Sequence, residues 1–139
     1  GALSSVNILE SHVPENSNAI LMLSLTAEGR LPNAKSTTEF MHKNYFLPAA
    51  PKDTEFSDPG LKMSYDKVAE KFTVEATKAV SLYTWLTHPA GTLGFFDDNA
   101  FVLMPGEKKD VDFHLQVDQT DGKWIEDVTL SSMWDLTTA

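Results

Sequence analysis

The stretch Lys109-Asp110-Val111-Asp112-Phe113-His114-Leu115-Gln116-Val117 alternates without a slip. Val111, Phe113, Leu115 and Val117 fall on one side, and Asp110, Asp112, His114 and Gln116 on the other. Successive side chains of a strand point to opposite faces. The pattern therefore predicts a half-buried β-strand with its apolar row toward a core. Working outward, residues 71–76 repeat the period with Phe72, Val74 and Ala76 on one face, and Leu61, Met63 and Tyr65 make a shorter version. Val128, Leu130 and Trp134, with Ser132 between them, read as a last strand. Asp58-Pro59-Gly60, Pro89-Ala90-Gly91, Pro105-Gly106 and Asp121-Gly122 punctuate these segments with residues that favour turns.

Strands about ten residues apart, broken by such turns, predict a sandwich or barrel. Residues 61–137 hold about seven candidates, the count of an immunoglobulin-like β-sandwich. Residues 65–72 (Y-D-K-V-A-E-K-F) are too short to sustain a helix and read as a turn. Residues 33–43 are polar with Thr37 and Thr38, which favours a strand. The expected core includes Trp85, Phe101, Val111, Phe113 and Leu130.

Residues 44–53 carry two prolines and little alternation, so they read as an extended connection. Before them lie about three strand candidates, at 6–12, 19–25 and 36–42. Three strands cannot enclose a sandwich core. Residues 1–52 are therefore expected to be the closing strands of a preceding sandwich plus a linker, and residues 53–139 a whole sandwich. The alternative adds the early strands to the later sandwich as one larger domain.

Composition narrows function by exclusion. The chain has 139 residues, a net charge of −9 and no basic run, which makes nucleic acid or an anionic membrane an unexpected partner. It has no cysteine, so no disulfide framework and no cysteine metal site can form. No apolar run approaches the roughly 20 residues of a membrane helix. The opening Gly1-Ala2-Leu3-Ser4 lacks the features of a signal peptide and reads as a mature or fragment start. His12, His42, His88 and His114 show no metal-ligand spacing, so neither a metal nor a cofactor is expected.

Asp97-Asp98 is the obvious acidic pair, but neighbours on a strand point apart, so a turn-forming role is expected and no catalytic residue is assigned. The candidate substrate-binding residues are Trp124 and Tyr83, whose rings could stack on a sugar. Trp124 is weighed evenly between an exposed platform and the core, and Trp85 is assigned to the core.

Several motifs together resemble the end of the β-mannosidases. Asn44-Tyr45-Phe46-Leu47 with Pro51-Lys52-Asp53 is similar to the N-Y-x-F-L…P-K-[ED] connection between their last two domains. Trp85-Leu86 followed by Phe96-Asp97-Asp98-Asn99-Ala100-Phe101 resembles their W-L…F-S-D-N-x-F segment, with Asp97 where serine is usual. Leu103-Met104-Pro105-Gly106-Glu107 resembles the L-x-P-G-E turn of terminal domains in family 2 glycoside hydrolases, and residues 129–135 resemble the closing strand. The resemblance runs from about residue 18 and is strongest to fungal members.

It implies a five-domain retaining enzyme that removes terminal β-mannose with two glutamates on a (β/α) barrel. This chain would be the end of the fourth domain and the whole fifth, with the rest of the enzyme as partner and secretion or a lysosome- or vacuole-like compartment as setting. Competing classes are a stand-alone carbohydrate-binding module and a protein-binding immunoglobulin-like module.

Overall fold

The computed structural model describes residues 18–137, and the strand expected at residues 6–12 lies outside them. The chain divides into two units, Gly1–Glu55 and Phe56–Ala139. In the first, β1 (Leu21–Gly29) and β2 (Thr38–Phe46) form an antiparallel hairpin that pairs Leu21 with Phe46 at one end and Gly29 with Thr38 at the other. Asn44, Tyr45 and Phe46, expected in the connection, are the last residues of β2. The connection proper is short, with a 3-10 turn at Pro51–Asp53. Proline fixes its own φ and gives up no needed donor at the first position of that turn.

The second unit is an immunoglobulin-like β-sandwich. Its strands are β3 (Leu61–Asp66), β4 (Lys71–Ala76), β5 (Ser81–Thr87), β6 (Thr92–Phe96), β7 (Phe101–Leu103), β8 (Lys108–Asp118) and β9 (Thr129–Ser131). They form a four-stranded sheet ordered β3-β4-β8-β6 and a three-stranded sheet ordered β7-β5-β9, antiparallel throughout. Asp66 closes the β3–β4 hairpin, its carboxylate accepting the Val68 and Ala69 N–H groups at 2.7 and 3.0 Å. That is why residues 67–70 turn instead of coiling.

Between the sheets lie Phe72, Val74, Ala76, Leu86, Phe101, Leu103, Val111, Trp124 and Val128. Full burial of one such side chain stabilises the fold by roughly 1.5–3 kcal/mol. Aromatic rings line the inner face of the four-stranded sheet: Phe72 lies 4.7 Å from Tyr65 and 5.8 Å from Phe96, and 5.9 Å from Trp124 of the turn that follows β8, centre to centre.

Three expectations need correction. Trp85 is 50% exposed and lies outside the core, whose tryptophan is Trp124 at 5%. The predicted row on β8 is buried only at its start. Val111 is buried and Phe113 half-buried, but Leu115 and Val117 are exposed, because this 11-residue strand outruns the β4 strand beside it. The closing strand stops at Ser131, and a short helix α1 (Met133–Thr137) follows. The Asp135 carboxylate ties down its start, accepting the Ser132 N–H at 2.6 Å and the Ser132 hydroxyl at 3.1 Å. Leu130 is half-buried against the core.

Candidate functional site

The exposed aromatics of β5, Tyr83 and Trp85, trace to one irregularity in that strand. Ser81 pairs with Leu103 and Thr84 with Phe101, so three steps on β5 answer two on β7. This is a β-bulge, and Tyr83 takes it up with φ of 51°, a left-handed conformation that bulky residues adopt only when their surroundings impose it. The extra residue shifts the phase of the strand. Ser81 and Leu82 both point inward, Thr84 and Leu86 follow inward, and Tyr83, Trp85 and Thr87 point outward. The two buried hydroxyls satisfy each other, Ser81 Oγ lying 2.7 Å from Thr84 Oγ1.

Cross-strand register continues the outer face. Trp85 stands opposite Ser131 and Thr87 opposite Thr129 on β9. Met133 and Leu136 of α1 wall one side. Together they line a shallow groove of about 440 Å³ with Tyr83, Trp85, Thr87 and Ser131. None of these side chains carries a charge at neutral pH.

Of the two predicted platform residues, the structure brings only Tyr83 to this groove, at 40% exposure. Trp124 sits in a 3-10 turn (Lys123–Asp127), where its ring packs 4.7 Å from Phe113 and 5.9 Å from Phe72. At 5% exposure it is part of the core and offers no platform. Trp85 was the residue missed. The signal for it was weak: the bulge that turns it outward is set by pairing with β7, and nothing in residues 81–87 announces an extra residue.

The acidic loop between β6 and β7 is fully engaged in holding the sheets together. Asp97 continues the β6–β8 ladder, donating its N–H to the Asp112 carbonyl and accepting the Asp112 N–H on its carboxylate, both at 2.9 Å. Asp98 accepts the Asn99 N–H at 2.8 Å and pairs with Lys109 at 2.7 Å, whose ammonium also lies 5.2 Å from the Phe101 ring centre. Asn99 reaches the other sheet: its Oδ1 accepts the Leu86 N–H at 2.8 Å, and its Nδ2 donates to the Leu86 carbonyl at 2.9 Å. The left-handed residue of this loop is Ala100, at φ 59°.

Several other carboxylates of the sandwich are occupied locally. Asp110 accepts a hydrogen bond from Thr73 Oγ1 at 2.8 Å, and Asp112 pairs with Lys71 at 3.3 Å. Three turn carboxylates are held below the usual range. For Asp58 the main cause is the hydrogen bond from Lys78, for Asp66 the Ala69 and Val68 N–H groups, and for Asp118 the Thr120 hydroxyl. Burial, reinforced by the charges of Glu70 and Asp66, pushes the Tyr65 phenol up. Asp97, Asp98, Asp110 and Asp112 thus serve the sheets and turns.

The sequence profile of the mannosidase Ig-fold domain matches residues 56–136, which is the whole sandwich. The β-mannosidase A of Aspergillus flavus is 52% identical over 133 residues, covering 96% of this chain and 15% of the relative. That of Aspergillus terreus is 48% identical, covering 96% and 14%, and that of Aspergillus aculeatus 47% identical, covering 98% and 15%. The chain therefore spans about one-seventh of the length of these curated relatives. With the profile covering more than half of its residues, this chain belongs to the mannosidase immunoglobulin-fold family.

Proposed function

We propose that this chain is the C-terminal accessory region of a longer β-mannosidase, an enzyme that releases terminal non-reducing β-D-mannose with retention of configuration. The chain contributes structure, and the catalytic acid and nucleophile come from another part of the polypeptide. The observation that carries this is the alignment: nearly all of the chain matches relatives named β-mannosidase A, yet it accounts for only 14–15% of their length. The loop geometry supports it, because Asp97 and Asp98 are committed to backbone and lysine partners instead of facing a shared bond. A retaining glycosidase needs two free carboxyl groups about 5–5.5 Å apart.

On this reading β1 and β2 are strands of the preceding sandwich, whose other strands lie in the rest of the enzyme. Both faces of that hairpin are exposed over most of its length, with Leu25, Phe40 and Met41 about 60–70% accessible. The partners are the remainder of the enzyme and, through its barrel, an oligosaccharide. Secretion or a lysosome- or vacuole-like compartment, where glycoprotein sugars are broken down, is the setting this reading assigns.

The test is an assay on an aryl β-mannoside. The pure 139-residue chain is expected to show no turnover and the full-length enzyme to show it. Turnover by the chain alone that disappears in Asp98→Asn would overturn the proposal.

A further inference from the structure

We propose that the outer face of β5 and β9 binds a β-linked mannoside, with Tyr83 and Trp85 as the stacking platform. The choice of mannose rests on the functional reading above; the existence of a sugar-binding face does not. Tyr83 and Trp85 are 40% and 50% exposed, on the same side of one strand. Two residues along a strand separate their Cα atoms by about 6.6 Å, so the two rings can lie under adjoining parts of one short saccharide. A β-bulge with a strained φ at Tyr83 is what turns both of them outward. Bulges re-aim side chains, and strain of this kind persists where the surroundings impose it.

The rest of the face suits a neutral, hydroxylated ligand. Ser131 stands beside Trp85, and Thr129 beside Thr87, so hydroxyls flank the rings in register. Met133 and Leu136 close one side of a groove of about 440 Å³, within the range of small-ligand sites. In a chain with net charge −9, a groove with no charged lining residue complements an uncharged ligand.

The chemistry also predicts an anomeric preference. In a β-mannopyranoside the axial hydrogens of C1, C3 and C5 share one ring face, and the axial hydroxyl at C2 lies on the other. The first face is an unbroken C–H patch that meets the negative face of an indole or phenol. An α-linkage sets its axial oxygen on that same patch and breaks the stack.

Titration calorimetry of the 139-residue chain with β-1,4-mannobiose, β-1,4-mannotriose and α-1,2-mannobiose tests this. Saturable binding of the β-linked sugars is expected. Binding should fall about tenfold or more for the α-linked sugar and for Trp85→Ala, the loss of one stacking face. Trp85→Phe should keep most of the affinity, and Phe95→Ala, on an exposed part of β6, should keep all of it. Absence of saturable binding, equal affinity for both anomers, or indifference to Trp85→Ala would each overturn the proposal.

A second arm asks whether protein covers the face. Thr87→Cys adds the only cysteine in these 139 positions. Its labelling in the sugar-free full-length enzyme should be fast; protection there would mean that another domain occupies the groove and would overturn the site. A full-length enzyme active on aryl β-mannosides with no sugar bound to this chain would sink this site alone. One inert on them would sink the functional reading instead.

Discussion

Asn99 does with one side chain what a neighbouring strand does with its backbone. Its amide pairs both polar groups of Leu86, a residue whose side chain is buried, and so ties the β6–β7 loop to the sheet that does not contain β6. Asn99→Ala leaves a partly buried N–H and C=O unmatched. It should cost about 1–3 kcal/mol in chemical denaturation, the usual penalty for such orphaned groups. Asn99→Asp should cost at least as much, since a carboxylate would face the Leu86 carbonyl oxygen with no proton to offer. If either variant unfolds at the wild-type midpoint, the loop does not hold the sheets. The acidic character of this loop was legible in the sequence and so was its turn-forming role. The particular partner of Asn99 was not, because Leu86 is 13 positions away and meets it only after the sheets pack.

At the scale of the element, β6 meets β8 with almost no clearance. A Cβ on Gly94 would lie 2.5 Å from the His114 carbonyl oxygen and 2.7 Å from the Phe113 ring, beside the bulge between Leu93 and Gly94. Gly94→Ala must therefore push backbone apart. A cost of about 1–3 kcal/mol is expected, as for other overpacked sites, read as a lowered melting temperature. A neutral substitution would show that the strand pair relaxes freely.

Turns between elements carry the acid sensitivity. Asp58, Asp66 and Asp118 have folded-state pKa values below their unfolded ones. A depressed carboxylate stabilises fully above its unfolded pKa, about 3.9, and the contribution disappears as pH falls through the lower folded value. Stability should therefore decline as pH drops below about 4. Asp118→Asn, which forfeits the carboxylate that accepts from Thr120 and Gly122, should flatten that decline. An unchanged acid slope in Asp118→Asn would remove this turn from the account.

At the scale of the molecule, the sandwich has its own core and the hairpin does not. Residues 56–139 enclose the buried cluster from Phe72 to Val128, whereas β1 and β2 expose Met22, Leu23, Leu25, Phe40, Met41 and Phe46. A two-stranded sheet is marginal in water, and an exposed apolar one associates. Residues 56–139 alone should unfold in one cooperative, reversible transition by circular dichroism, and residues 1–55 alone should give none. A monomeric, cooperatively melting 1–55 fragment would show that the hairpin needs no further strands.

Period-two alternation, turn residues and motif order were enough to determine an all-β sandwich of seven strands and its family. These signals are local: each depends on which faces a short segment presents and on what a Pro-Gly or Asp-Gly pair does to the backbone. The tertiary structure alone decided which aromatic fills the core. Trp124 and Trp85 are equally apolar, and their choice of inside or outside turns on a bulge set by β5 pairing with β7 and on a 3-10 turn that drops Trp124 onto Phe72 and Phe113. Only pairing counts the residues between two register points, so a one-residue slip that exchanges the faces of a strand leaves no mark in composition or period until the partner strand is in place.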